Sequence, residues 1–167
     1  MENQEENKGL SDLLKAVSEV CELSSDKDLV RKFKRALVEA GVEIKEYPPA
    51  KYFAAGMGGD PMILLAHEST ELGWWGILKD IIDRVIDLET VKTHKVGWGA
   101  ALLDKDYKRG YWIRGENIFA LKTLCLVSLG KNGQYHFKHE NLRKKPDLAP
   151  YFYSLEEFLS ASGLKSV

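Results

Sequence analysis

The residues best suited to chemistry form an acidic group around one apolar run, Met62–Ala66. Asp60 precedes the run, and His67, Glu68 and Glu71 follow it. Carboxylates that converge at strand ends can hold Mg²⁺, which takes oxygen ligands and keeps several waters. Such an ion can orient a water and stabilise charge on a phosphodiester. We therefore take Asp60, Glu68 and Glu71 as candidate catalytic residues, Asp60 and Glu68 as candidate metal ligands, and Mg²⁺ as the candidate cofactor.

The spacing of these carboxylates limits which of them can meet. Eight positions of extended strand span roughly 26 Å, so Asp60 and Glu68 come together only if the chain bends between them. Glu68 and Glu71 are closer and could meet across a turn. The alternative is that the acids are solvated at a loop edge and cap a helix that begins near Trp74, where negative charge is favoured.

The order of acid, apolar strand and acid resembles the restriction-endonuclease-like nucleases, whose pattern is an Asp followed by Glu-x-Lys on the next strand. The matching tripeptide here is Glu68-Ser69-Thr70, so Thr70 stands where that family has the lysine that assists the attacking water. Glu43-Ile44-Lys45 has the right residue types but precedes Asp60. The resemblance implies a metal-dependent phosphodiester hydrolase, or a degenerate copy that binds without cutting.

A second candidate site is a basic stretch with interleaved aromatic residues late in the chain. Lysine and arginine neutralise phosphates, and aromatic faces stack on unpaired bases. The alternative is that the aromatic residues on one face are core and the lysines are solvated. The candidate nucleic-acid-binding residues are Lys105, Lys108, Arg109, Trp112, Arg114, Lys138 and Arg143.

The net charge of −1 hides a strong asymmetry along the chain. Residues 1–91 hold 11 Lys/Arg and 18 Asp/Glu, whereas residues 92–145 hold 12 Lys/Arg and 4 Asp/Glu. Such segregation is typical of a protein with a basic face and an anionic partner. The alternative is that the two halves neutralise each other across an internal interface.

The totals predict one globular domain without a membrane segment. The chain has 167 residues, of which 44% are hydrophobic. Its apolar runs all fall short of the roughly 20 residues that cross a bilayer. The acidic start, MENQEENKG, differs from a secretory leader. We expect a cytoplasmic protein in which Cys21 and Cys125 are buried thiols.

Hydrophobic periodicity predicts an α+β domain over residues 10–167, after a disordered tail over residues 1–9. We expect a mixed or antiparallel sheet with helices packed mainly on one face. The predicted helices cover 10–21, 29–38, 74–86 and the residues after the capping box Ser154–Glu157. The predicted strands cover 42–47, 62–66, 96–103, 110–114, 123–129 and 135–138, with an Asn-Gly turn before the last of these.

These patterns favour a nucleic-acid-binding domain that is either nuclease-like or a degenerate nuclease. The competing hypothesis is a non-enzymatic interaction domain, whose acidic helices and basic hairpins dock on each other or on a protein partner. A third hypothesis is a small-molecule site lined by Trp74, Trp75 and Trp98.

Overall fold

The computed structural model describes residues 27–47, 50–58, 61–69 and 73–165. The predicted tail, the predicted helix over 10–21 and Cys21 lie outside these residues. The helices are α1 Asp28–Glu39, α2 Lys79–Asp87, α3 Glu89–Lys92, α4 Gly115–Thr123, α5 His139–Leu142 and α6 Leu155–Ser162. The strands are β1 Glu43–Glu46, β2 Phe53–Gly56, β3 Met62–Glu68, β4 Trp74–Leu78, β5 Trp98–Asp104, β6 Asp106–Arg114, β7 Ser128–Leu129, β8 Gln134–Lys138 and β9 Tyr151–Phe152.

The central element is a six-stranded mixed sheet with the strand order β1-β2-β3-β5-β6-β9. Strands β3 and β5 run parallel, and the other neighbouring pairs are antiparallel. A smaller antiparallel sheet has the order β4-β8-β7. The predicted α+β class with a mixed sheet is confirmed.

Two hydrophobic cores lie on opposite faces of the large sheet. One face packs against α1 and α6, through residues such as Phe33 and Phe158. The other face packs against the small sheet, α2 and α4, through residues such as Trp75 and Ile118. The helices therefore cover both faces, because strand β5 is apolar on both sides: its residues 99–103 are all buried.

Helix α1 begins and ends close to the predicted positions. Gly41 follows it with a φ of +97°, the left-handed conformation that favours glycine after a helix. Lys34 on this helix is buried, although three of its basic neighbours are partly or fully exposed. Its ammonium lies 2.8 Å from the Glu46 carboxylate, and the two side chains are 5% and 9% exposed. This pair also explains why β1 carries an acid on its inward face.

The predicted helix over residues 74–86 is wrong in its first half. Residues 74–78 form strand β4, in which Trp75 and Ile77 are buried while Trp74 and Leu78 are exposed. The burial period is therefore two. At Gly76, a Cβ atom would lie 2.6 Å from the Gln134 side chain, so β8 packs closely against a position without a side chain. The helix begins only at Lys79.

The β5–β6 hairpin is confirmed, but its turn is tighter than predicted. Lys105 alone separates the strands, with a φ of +61°. The predicted strand over 123–129 is only Ser128–Leu129, because α4 extends to Thr123. Cys125 follows that helix and is exposed rather than buried.

The last helix has the predicted cap, in which the Glu157 amide donates to Ser154 Oγ at 3.1 Å. Among the helices that the structure describes, none is long and apolar enough to span a membrane.

Candidate nucleic-acid interface

Both candidate regions lie at one edge of the large sheet. Because β3 and β5 are parallel, their carboxyl ends meet there, with Glu68 opposite Leu103. The hairpin continues this edge, since Leu103 lies opposite Gly110 on β6. Neighbouring strands are about 5 Å apart, so Glu68 lies next to the turn from β5 into β6, which contains Lys105 and which we call the basic turn.

Glu68 is held by the start of helix α1. The Leu29 amide donates to its Oε2 at 3.0 Å. Lys27, the residue before this helix, provides no side-chain cap. A carboxylate is favourable near a helix N-terminus, where amide groups lack partners within the helix. Glu68 therefore has a structural role whether or not it also binds a metal.

Asp60 and Glu71 lie outside the described residues, so the metal site with Glu68 stays a prediction. Within the described ranges, no group of three or more His, Cys, Asp or Glu residues could hold a metal ion. A cleft of about 280 Å³ beside Glu68 is lined by His67, Lys51 and Gln134, among others. These side chains could hydrogen-bond an anionic or polar group.

The basic turn between β5 and β6 lies beside an exposed tryptophan. Trp74 is 43% exposed, and the Lys138 ammonium lies 4.1 Å from the centroid of its ring. Trp74 and Lys138 line a cleft of about 500 Å³, whose other lining residues include Lys105, His139 and Asp104. An ammonium over an indole face is an attractive contact, so the Lys138 charge is held at this edge.

A third cleft, which we call the tyrosine pocket, shares His139 with the cleft beside Trp74. Its volume is about 320 Å³, and its lining includes Tyr111, His139, Arg143, Tyr151 and Tyr153. The Tyr151 ring centroid is 5.0 Å from that of Tyr111 and 4.8 Å from that of Tyr153. The Tyr153 side is open, since this residue is 66% exposed.

Two hydrogen bonds fix the polar groups of the tyrosine pocket. The Tyr111 hydroxyl is bonded to His139 Nδ1 at 2.5 Å, and the Tyr151 hydroxyl donates to Asp104 Oδ2 at 2.9 Å. Burial raises the pKa of Tyr111 to about 12, with a further contribution from Asp104 that Arg143 opposes. Burial and the bond to Asp104 also raise the pKa of Tyr151, against the effect of Arg109. Both phenols therefore stay neutral around pH 7.

We call Trp74, Lys105, Arg109, Lys138, Arg143, Tyr151 and Tyr153 the cation–aromatic surface. Four of them, the lysines and arginines, were among the predicted nucleic-acid-binding residues. Arg109 and Arg143 are tied to the tyrosine pocket by their electrostatic effect on its phenols. Asp104 and Glu140 also lie at this edge, so the surface is basic but not free of acids.

Of the other three predicted residues, the structure separates Trp112 and Arg114 from this surface. Trp112 is 2% exposed and packs on Phe158 at 5.6 Å, so its ring is core and is not open to a base. Arg114 lies opposite Gly99, at the far end of β6. The Lys108 ammonium lies 5.5 Å from the ring centroid of its neighbour Tyr107, in the irregular stretch of β6 that follows the turn.

Tyr151 and Tyr153 were missed from the sequence because β9 has only two residues, too few for a periodic pattern. The signal available was the alternation Tyr151-Phe152-Tyr153 ahead of the capping box. The proposed tryptophan-lined site is wrong. Trp75 is buried and donates to the Leu103 carbonyl at 2.8 Å, and Trp98 packs on Phe119 at the start of β5.

Neither protein-family models nor curated protein sequences show a match to this chain. Its fold is similar to that of Hjc, a Holliday junction resolvase from the archaeal hyperthermophile Archaeoglobus fulgidus. The TM-score is 0.52 at 9% sequence identity, and the match covers 83% of this chain and 96% of the resolvase chain. At this identity the similarity shows the fold alone.

Proposed function

We propose that this protein binds nucleic acid through the cation–aromatic surface. The observation that carries the proposal is that two clefts sharing His139 are lined by two exposed aromatic rings, Trp74 and Tyr153, and by the cations Lys105, Lys138 and Arg143. A fourth cation, Arg109, acts electrostatically on Tyr151 in the second of these clefts. Cations neutralise phosphates and release their counterions, which supplies most of the non-specific affinity for nucleic acids. Exposed rings add stacking with unpaired bases, a contact that tolerates any sequence.

The resolvase-like fold supports the same partner class. The similar structure is that of a protein that resolves Holliday junctions, which are nucleic acids. A fold hosts many functions, so the local chemistry of the surface carries the proposal and the fold adds weight to it. The expected partner is therefore a nucleic acid, without a commitment to one sequence.

Metal-dependent hydrolysis of a phosphodiester is the second candidate function. The resolvase-like fold favours it, and Glu68 lies at the carboxyl end of a central strand next to the basic turn. Two observations count against it. Strand β2, which pairs with β3, contains no carboxylate that could join Glu68 in binding a metal. Glu68 also already accepts a hydrogen bond from the Leu29 amide. Binding without cleavage is therefore the primary proposal.

Binding is tested with a labelled DNA duplex and a labelled single strand at low salt. We expect the wild type to retain at least one of them. The double variant Arg109→Ala/Arg143→Ala should lose about tenfold or more in affinity, because two phosphate contacts disappear. The control is Lys32→Ala, which removes one exposed cation rather than two, from α1 across the sheet.

Two results would count against binding through this surface. One is that neither nucleic acid is retained at low salt; a concentration-dependent oligomer or a co-purifying protein would then favour the interaction-domain hypothesis. The other is an equal loss in the double variant and in Lys32→Ala. For hydrolysis, Mg²⁺-dependent cleavage that disappears in Glu68→Gln would assign Glu68 to the reaction, whereas cleavage that survives would exclude it.

A further inference from the structure

The tyrosine pocket is suited to one flat aromatic group. Tyr111 and Tyr151 pack edge to face, and Tyr153 extends this aromatic wall into solvent. Ala149 contributes an apolar lining without bulk. The volume of about 320 Å³ is at the low end of the range for ligand pockets, which runs from about 300 to 1,000 Å³. The pocket therefore fits a small ligand or a single residue of a polymer.

The polar groups of the pocket are placed to bind a ring with an attached anion. Arg143 is exposed and lies at the rim, and Arg109 acts electrostatically on Tyr151. The guanidinium group suits phosphate oxygens because it offers two parallel donors. Tyr111 and Tyr151 are fixed by their bonds to His139 and Asp104, so little side-chain freedom remains to be lost on binding.

We infer that the tyrosine pocket takes one unpaired nucleotide of the bound nucleic acid. This inference rests on the proposed function and names the feature of the nucleic acid that the site recognises. The base stacks against Tyr153 and Tyr151, and its phosphate lies near Arg143. A base inside a regular duplex has both faces covered by its neighbours, so only an unpaired or extruded base can enter a cleft of this kind.

The test uses a DNA hairpin duplex with a single unpaired 2-aminopurine nucleotide, compared with the fully paired hairpin. We expect the bulged hairpin to bind about tenfold more tightly, since stacking of one base on an aromatic residue is worth about 5- to 150-fold in affinity. The 2-aminopurine fluorescence should fall on binding because the base stacks on tyrosine. The same bulge with an abasic residue should bind like the paired hairpin.

Three variants separate recognition by the pocket from a general effect on the protein. Tyr153→Ala should abolish the preference for the bulge, while Tyr153→Phe keeps the ring and should retain it. The control is Tyr47→Ala, which removes a partly exposed tyrosine after β1, the opposite edge strand of the sheet. Tyr153 is exposed, so its loss should leave the unfolding midpoint unchanged.

The inference is overturned if the bulged and paired hairpins bind equally, or if Tyr153→Ala keeps the preference. These results would leave the proposed function intact, because binding itself persists. A failure to bind either hairpin at low salt is a different outcome, and it would remove the proposed function together with this inference.

Discussion

Glu68 has a structural role in the fold, although its position in the sequence made it a candidate metal ligand. It lies at the end of a buried strand, next to His67, and this position first made it a candidate metal ligand. Its bond to the Leu29 amide joins β3 to the start of α1. The sequence gives no sign of this contact, because the partners are 39 residues apart.

The ion pair between Lys34 and Glu46 gives a prediction for stability at the residue scale. Glu46→Ala should destabilise the protein by about 1.5–3 kcal/mol, because it removes the carboxylate that lies 2.8 Å from a buried ammonium. The double variant Lys34→Met/Glu46→Leu should recover part of this loss, since it removes both charges of the pair. Urea unfolding measures both effects.

The control for this pair is Glu43→Ala, on the exposed face of the same strand, with an expected change of less than about 0.5 kcal/mol. If Glu46→Ala is as stable as Glu43→Ala, the ion pair does not hold α1 on β1.

The phenols of the tyrosine pocket predict how stability changes at alkaline pH. A tyrosine whose pKa is raised from 10.0 to about 12, as for Tyr111, resists ionisation in the folded state. The unfolded chain then loses its proton first, so the contribution of Tyr111 to stability should be constant below about pH 10 and fall as the pH rises towards 12. Unfolding free energies across this range measure the fall.

Tyr111→Phe removes the ionising group and should make the decline shallower. Equal declines in the wild type and Tyr111→Phe would contradict the raised pKa of Tyr111.

At the scale of elements, strand β4 shows where hydrophobic periodicity misleads. Apolar residues from Trp74 to Ile86 fit a helical stripe because a strand with period two runs directly into a helix with period 3.6. The distinguishing signals were local: two adjacent tryptophans and Gly76, which favour a strand packed closely on a neighbour. Strand β2, Phe-Ala-Ala-Gly, was missed because four small or apolar residues show no alternation.

The close contact between β5 and β6 gives a prediction at the element scale. A Cβ atom at Gly99 would lie 2.4 Å from the Trp112 ring and 2.6 Å from the Ile113 carbonyl oxygen. Gly99→Ala should therefore destabilise the protein by about 1–3 kcal/mol. Thermal or urea unfolding measures the change.

Gly97→Ala is the matched control, because a Cβ atom there meets no heavy atom within 4 Å. Gly97→Ala should leave stability unchanged or raise it by up to about 1 kcal/mol, because alanine lowers the conformational entropy of the unfolded chain. If Gly99→Ala were as stable as Gly97→Ala, the packing between these two strands would be looser than the structure has it.

At the scale of the whole molecule, only some of the cations in the basic stretch 92–145 lie on one surface. Lys105, Arg109, Lys138 and Arg143 converge at the carboxyl ends of β3 and β5, but Arg114 lies at the far end of the hairpin. Lys92 also lies elsewhere and pairs with Asp87 at 3.2 Å. The charge distribution along the chain predicted a basic face. The strand register determines which cations lie on it.

The α+β class and most strands follow from local periodicity, whereas the candidate site depends on long-range pairing. His139 meets Tyr111 and Tyr151 meets Asp104 across 28 and 47 residues. Such contacts follow from the strand order of the sheet, which local patterns do not determine. The candidates chosen from the sequence therefore include the four cations of the cation–aromatic surface but not its aromatic wall.

The salt dependence of nucleic-acid affinity tests the central claim most directly. It is measured for the wild type, Arg109→Ala/Arg143→Ala and Lys32→Ala. We predict that log affinity falls linearly with log salt concentration. The slope for the double variant should be shallower than the wild-type slope by about 0.7–0.9 for each phosphate contact removed, and the slope for Lys32→Ala should equal that of the wild type. Identical slopes for all three proteins, or no binding at low salt, would contradict the assignment of this surface.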